Sequence, residues 1–411
     1  MAKADPDRVL ADLYTLREMG KFKSGVHRPT LSPEDIRSRH WLADRLSEIG
    51  HAPKIDGIAN VMGRAPGSGP KLLAGSHIES QNEAGWLDGA LGVIYALEAA
   101  RAVAEDPDLT AAGAGVDVIA FADEEGHFSG TFLGSESFVG QLSEADIDAA
   151  VDRSGRGSLR DMLTDAGFAG RPRLALEQDR YMGFLEAHIE QGDWLEANNL
   201  SVGVVTSIVA IWNFRIRFEG VQNHAGTTRM AIRKDAGKAM MQLWQRIEQT
   251  FPEIAAERSV WTVGRVNLEP GAPSIIPGGA EMILQFRDAD PVVLDRMEAQ
   301  IRQLVDEANS EGPCPVTIEP WGQSTPAVMA SDIQDAFRAG AETFAPNLWA
   351  MMPSGAGHDA QLLAQFLPTG MLFVPSIGGI SHHWSEDTSD ADIAVGAQVY
   401  VDAAARLLRQ G

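Results

Sequence analysis

At 411 residues the chain exceeds one typical domain, so two domains, or one large domain carrying an insertion, are expected. With 44% hydrophobic and 22% charged residues it has the balance of a soluble globular protein and not of a disordered or fibrous one. A formal charge of -23, from 34 Lys+Arg against 57 Asp+Glu, excludes an unaided grip on nucleic acid or an anionic membrane, since both need a basic face.

The N-terminal MAKADPDRVL has no apolar signal stretch, and no uninterrupted run of about 20 apolar residues follows, so a cytoplasmic protein is expected. Ser32-Pro33-Glu34-Asp35 is a strong helix start, with a capping hydroxyl, proline at the first helical position and acids in the first turn. Ile36, Leu42, Leu46 and Ile49 give that helix an apolar stripe, and Gly50 can end it. Apolar runs Lys71 to Ser76 and Val116 to Phe121, separated by a helical stretch from Gly89 to Ala104, predict an α/β domain with buried strands.

From residue 212 to 329 the pattern changes. Trp212, Phe214, Ile216 and Phe218 alternate as in a strand, and a helix with Met240, Leu243 and Ile247 follows. Strands at Trp261 to Leu268 and Ala280 to Arg287, a helix over 291–309 and a strand at Pro315 to Pro320 complete the order β-α-β-β-α-β. That is the ferredoxin-like α+β arrangement, inserted into a catalytic domain made of 1–211 and 330–411. Cys314 is the only cysteine, so no internal disulfide forms and any metal site must use nitrogen and oxygen ligands. The α/β character resumes with a helix at Asp332 to Thr343 and an apolar run Met371 to Pro375.

Four segments put candidate ligands where a strand ends and a loop begins, the edge at which open α/β sheets bind ligands. They are Gly75-Ser76-His77-Ile78-Glu79 with Gly85-Trp86-Leu87-Asp88-Gly89, then Asp123-Glu124-Glu125-Gly126, then Glu186-Ala187-His188-Ile189-Glu190-Gln191-Gly192, and Gly378-Gly379-Ile380-Ser381-His382-His383. Histidine with carboxylate suits one or two Zn²⁺, Mn²⁺ or Co²⁺ ions at an open hydrolytic site. Of two adjacent acids, one can bind metal while the other takes a proton. Singly, a His beside a strand is usually structural, and Asp-Gly or Glu-Glu is usually a turn or solvated edge. Their recurrence at several strand ends points to a metal site.

These segments resemble the M20 metallopeptidase superfamily, and within it the amidase/hydantoinase/carbamoylase group, which includes N-carbamoyl-L-amino acid hydrolases, allantoate amidohydrolases and ureidoglycolate hydrolases. The resemblance spans residues 30 to 405 and rests on GSHIES with WLDGALGV, FADEEG with FLGS, HIEQG, NHAGTT, SIIPG, SGAGHDA and FVPSIGGISH. It implies a metal-dependent hydrolase of a non-peptide C–N bond in a small carboxylate such as an N-carbamoyl or ureido amino acid. It also implies a mixed sheet flanked by helices and an inserted domain serving as lid and homodimer interface. His77 and His188 would bind one metal, Glu125 and His382 the other, with Asp88 between them and Glu124 as general base. His224 would act in a partner subunit, and Arg287 would hold the substrate carboxylate. Gln191, Gly355, Gly357 and His358 would line the pocket. His382, directly after Ser381, fits the motif better than His383. Without the resemblance, Arg287 reads equally as a surface strand residue, and SGAGHDA as a capping loop around Asp359.

Three positions depart from the family pattern. The usual aspartate two residues after the first histidine, which orients that ligand, is Glu79; the asparagine heading SIIPG is Ser274; the aspartate two before the arginine is Gln285. Ligands and base persist, so retained chemistry on an altered substrate is expected. Trp86 and Trp384 either add aromatic surface near the site or pack in the core. An amidase or hydrolytic deaminase acting on an aromatic or otherwise atypical amine is therefore the alternative enzyme. A non-catalytic metal or small-molecule binder is the alternative from another class.

Overall fold

The computed structural model describes residues 2–128 and 132–411. The chain forms two compact units, Met1–Ser207 with Val328–Gly411, and Ile208–Ala327. The expected insertion limits of 212 and 329 shift because strand Val202–Ile208 and the short strand Ala327–Val328 are neighbours in the large sheet. The chain thus leaves and re-enters that sheet side by side, and the Met329 amide donates to the Thr206 carbonyl at 2.9 Å.

The larger unit is built on a nine-stranded mixed sheet. At its centre Thr369–Val374, Phe184–Ile189, Lys71–His77 and Gly115–Phe121 run parallel. Every residue of these four strands is buried, which explains why they read as continuous apolar runs without alternation. Helices Pro6–Glu18, Ala90–Glu105, Ser331–Phe344 and Asp390–Leu408 share one apolar core with the sheet. Helix Pro33–Glu48 starts as its sequence predicts, with Ser32 Oγ accepting from the Asp35 amide at 3.1 Å. Gly50, just past its end, has φ 75°, a left-handed turn that glycine adopts without strain. Because the four central strands are parallel, their carboxyl ends share one edge. His77 is the last residue of its strand and His188 the penultimate residue of its own. Glu124 and Glu125 follow Phe121, while His382 lies in the loop after Val374.

In the smaller unit, Ala210–Glu219, Ala236–Ile254, Val260–Glu269, Gly279–Asp288, Pro291–Glu311 and Val316–Gln323 follow one another as β-α-β-β-α-β. The four strands form an antiparallel sheet with Val260–Glu269 at one edge and Val316–Gln323 at the other. Phe214, Ile216 and Phe218 are buried against Met240, Leu243 and Ile247 of the first helix and Met297 and Ile301 of the second. Phe214 stacks on Phe286 at 5.5 Å, giving this unit its own core. Among the described residues no helix is long and apolar enough to cross a membrane.

Candidate metal centre

Two ring nitrogens meet one carboxylate oxygen. His77 Nδ1 lies 3.1 Å from the Glu79 carbonyl, and His188 Nδ1 lies 2.9 Å from the Ile189 carbonyl. A carbonyl only accepts, so each Nδ1 carries a proton; His77 Nε2 is left for a second proton or a metal ion, and the lone pair of His188 Nε2 faces the Gly89 amide at 3.2 Å. Both Nε2 atoms converge on Asp88 Oδ1, at 3.4 and 3.0 Å. The other oxygen, Oδ2, is 3.4 Å from His382 Nε2, which is itself 3.6 Å from Glu125 Oε2. Ligand atoms of His77, Asp88 and His188 lie within 4.8 Å of one another, as do those of Asp88, Glu125 and His382. Asp88 therefore belongs to both groups, one oxygen to each.

These residues fit divalent ions. His77 Nε2 is buried with no hydrogen-bond partner, an arrangement native proteins seldom leave unfilled. Electrostatics agree. Burial pushes Glu124 well above the usual carboxylate range, and Glu125, Asp359 and Asp88 push it further against the pull of His77. His77 is raised well above its ordinary value despite burial, by Glu124, Asp88 and Glu79. His382 is pushed up to about 9 by its hydrogen bond to Asp88, against burial, with help from Glu125. Without metal the acids thus draw protons onto the histidines, and a divalent ion supplies that positive charge in the protons' place.

Glu124 belongs to neither ligand group. Its Oε2 is 3.6 Å from His77 Nε2, next to the first group, while its neighbour Glu125 faces the second. This is the division of labour that adjacent acids allow.

Gly89 closes the approach. It has φ 66°, and a Cβ there would stand 2.3 Å from the His77 ring. Gly89→Ala is expected to weaken the first ion's binding by about 10- to 100-fold, measured by calorimetry. Wild-type affinity would refute this account of the glycine.

Several expected roles need correction. Glu79 does not orient His77 with its carboxylate, which stands 3.9 Å from Nδ1; its backbone carbonyl does so instead. The carboxylate receives the Arg39 guanidinium at 2.7 Å and the Glu124 amide at 2.8 Å, so Glu79 holds the Glu124 backbone in place. His358 is 1% exposed, bonds Ser354 Oγ at 2.9 Å and lies 4.6 Å from the His188 ring. It backs a ligand and does not offer a free surface to substrate. Asp359 is not a cap, since it lies inside its short helix and accepts from Ser135 Oγ at 2.6 Å. Trp86 is 1% exposed, stacked on Tyr14 at 5.3 Å with Arg17 over its ring at 4.6 Å, so it is core and not aromatic pocket surface. Trp384 is half-buried beneath Lys23.

Other candidates stay distributed. Gln191 Nε2 donates to Asp88 Oδ2 at 2.9 Å and lies 3.3 Å from His382 Nε2, on the ligands themselves. A Cβ at Gly355 would meet open space, and one at Gly357 would approach Phe132 Cζ at 3.0 Å. His224 and Ser274 are exposed on one two-stranded piece, where His224 pairs with Ile275 and the Ala225 amide donates to the Ser274 carbonyl. Arg287, close to the end of Gly279–Asp288, donates its Nε–H to Gln285 Oε1 at 2.9 Å. Exposed His383 bonds Ser385.

Glu386 escaped the sequence reading. Its Oε1 accepts from the Leu87 and Asp88 amides at 3.3 and 3.1 Å, and its Oε2 meets Ser381 Oγ at 3.1 Å. Burial and the Asp88 charge push it up to about 8, and the Ser381 hydroxyl, which donates to it, stands nearly as close to Asp88 Oδ2, at 3.2 Å. Gln81 and Arg39 were missed too. An acid four residues after His382 and a glutamine four after His77 are the only signals local sequence offers.

A His/carboxylate centre of this form, at the carboxyl edge of parallel strands, defines a candidate metallohydrolase. Residues 70–406 match peptidase family M20/M25/M40, and the chain belongs to that family. It is 32% identical over 405 residues to the N-carbamoyl-L-amino-acid amidohydrolase of Paenarthrobacter aurescens, covering 97% of each protein. To the allantoate amidohydrolase of Escherichia coli it is 32% identical, covering 91% of each. The crystal structure of an amidase of the hydantoinase/carbamoylase family from Burkholderia phymatum superposes with TM-score 0.91 at 45% identity, covering 100% of this chain and 99% of that one.

Proposed function

We propose that this chain hydrolyses the non-peptide C–N bond of small N-carbamoyl or ureido carboxylates, using one or two divalent ions. The observation that carries the proposal is the Asp88 carboxylate, whose two oxygens each meet a separate histidine group, with Glu124 buried alongside and outside both. The names of the similar amidohydrolases support the substrate class.

Bound Zn²⁺, Mn²⁺ or Co²⁺ would polarise the scissile carbonyl and acidify the attacking water. Glu124 takes the water's proton and passes it to the leaving nitrogen. Asp88, fixed by Gln191 and by Glu386 at its amide, keeps the two groups in register. Arg287 offers its fork to the substrate carboxylate, with Gln285 as a neutral acceptor that adds no counter-charge of its own. Gly355 and Gly357 leave room in the pocket wall. Trp86 being core, nothing in the structure favours an aromatic amine.

The proposal includes a homodimer formed through the inserted unit. His224 pairs with Ile275 at the Gly279 end of the small sheet, whereas Arg287 lies eight residues along that strand, about 26 Å away at ~3.3 Å per residue. That separation favours His224 and Arg287 reaching one small substrate from two copies of the chain over their doing so from one. Strand Val260–Glu269 supports this, being an edge that exposes Val260, Val266 and Leu268 with no further strand beside it among the described residues.

Ammonia release from N-carbamoyl-L-amino acids and ureido acids tests the reading. Activity is expected to vanish on chelation and to return with Zn²⁺, Mn²⁺ or Co²⁺. Full activity in protein shown by metal analysis to be ion-free would overturn it.

A further inference from the structure

The two ligand groups are held unequally. His77, Asp88 and His188 are all buried, whereas the His382 side chain is 52% exposed. The second group's grip therefore falls on Glu125, its one buried ligand not shared with the first. Gln81 holds Glu125 in three places. Its backbone amide donates to Oε1 at 3.1 Å, and its side-chain amide donates to Oε2 at 2.7 Å and to the Glu125 carbonyl at 2.9 Å.

Arg153 fixes Gln81 in turn. Its Nη1 donates to the Glu125 carbonyl at 3.2 Å, and its Nη2 donates to Gln81 Oε1. With a guanidinium on Oε1, the amide group has one orientation, NH₂ toward Glu125, because the flipped amide would set oxygen against oxygen. The charge on Oε1 also polarises the amide and strengthens its donation to the carboxylate. The loop bearing Arg153 is anchored by its own amide to the His127 carbonyl at 2.8 Å and by Ser154 Oγ, which accepts from Asn82 at 3.1 Å.

We propose that Gln81 and Arg153 are positioning residues that set how tightly the second group, Asp88, Glu125 and His382, holds its ion. The inference rests on the metal-centre reading above. Each Glu125 oxygen accepts one bond from Gln81 and keeps a lone pair for the ion, so the clamp selects one carboxylate rotamer before metal arrives. Without the side-chain amide, the carboxylate must be ordered by the ion itself. The first group shares none of these contacts, so the second ion alone weakens, and this rim loop sets how readily it exchanges.

The test is titration of the chelator-stripped full chain with Co²⁺, followed by calorimetry and by the visible absorption of bound cobalt. Wild type is expected to bind two ions per chain. In Gln81→Leu the weaker ion should bind about 10- to 100-fold more weakly, with the tighter one unchanged. Arg153→Met should shift the weaker ion in the same direction by less, and Arg153→Lys, which restores one donor, should recover part of that loss. Unchanged weaker-ion affinity in both Gln81→Leu and Arg153→Met would overturn the proposal, as would equal weakening of both ions, which marks general damage. Wild type that binds no ion would instead defeat the metal-centre reading.

Discussion

Glu124→Gln is expected to lower turnover by about two to four orders of magnitude while metal content stays that of the wild type. The substitution keeps shape and removes only the ability to take a proton. Glu124 belongs to neither ligand group, so metal content should not change. Its backbone amide still donates to Glu79 Oε1, so the loop keeps its path. What disappears is the proposed proton carrier, a carboxylate raised well above its usual range by burial and by Glu125, Asp359 and Asp88 against the pull of His77. The check is kcat for ammonia release alongside metal analysis of the same sample. Turnover within tenfold of wild type, with ions bound, would remove Glu124 from the base role.

Much of the site was legible because its chemistry coincides with local pattern. The runs at 71–76 and 116–121 are strands buried on both faces, and periodicity with turn residues marks where they end. His77 and the Glu124-Glu125 pair lie at those two ends, His188 near the end of Phe184–Ile189, and Asp88 and His382 in the loops that follow Lys71–His77 and Thr369–Val374. What surrounds them was not legible, since it depends on which distant segments meet. Arg39 is three residues from Ile36 and three from Leu42, inside the stripe that reads as apolar, yet it is fully buried as a cation. No local rule distinguishes it from a solvated arginine. Glu79 read as an acceptor for His77 by analogy of position, but its longer side chain carries the carboxylate past the imidazole to Arg39 and the Glu124 amide. Ser274 and Arg287 are near in sequence, but the extended strand Gly279–Asp288 runs between them, leaving Ser274 before its start and Arg287 close to its end. The limits of the insertion moved for a similar reason, since sheet pairing and not composition decides which strand owns 208 and 327.

Arg39→Met is expected to destabilise the larger unit by about 3–5 kcal/mol and to depress turnover as well. The guanidinium is fully buried between two carboxylates, with Nε on Asp35 Oδ2 at 2.9 Å and Nη2 on Glu79 Oε2 at 2.7 Å, and Nη1 donates to the Ala59 carbonyl at 2.8 Å. Methionine fills much of the space but leaves both acids buried without this cation. Arg28 cannot replace it, because its Nε and Nη1 are spent on the carbonyls of Ile78, Leu16 and Met19. In the wild type, burial already raises Asp35, while Arg39 and then His77 hold Glu79 below its usual value against burial. In the variant both carboxyls should exceed their unfolded values, so the folded state binds more protons than the unfolded one. The variant's deficit should then be fully present above those raised values and shrink as pH falls through them. Turnover suffers by a separate route, since Glu79 Oε1 is the acceptor for the Glu124 amide and a rearranged Glu79 releases the base. Denaturant midpoints of both proteins across mildly acidic to neutral pH, with kcat at each, make the check. A deficit that grows as pH falls, or a variant as stable and active as wild type at neutral pH, would show that Arg39 does not hold the two acids and the base in place.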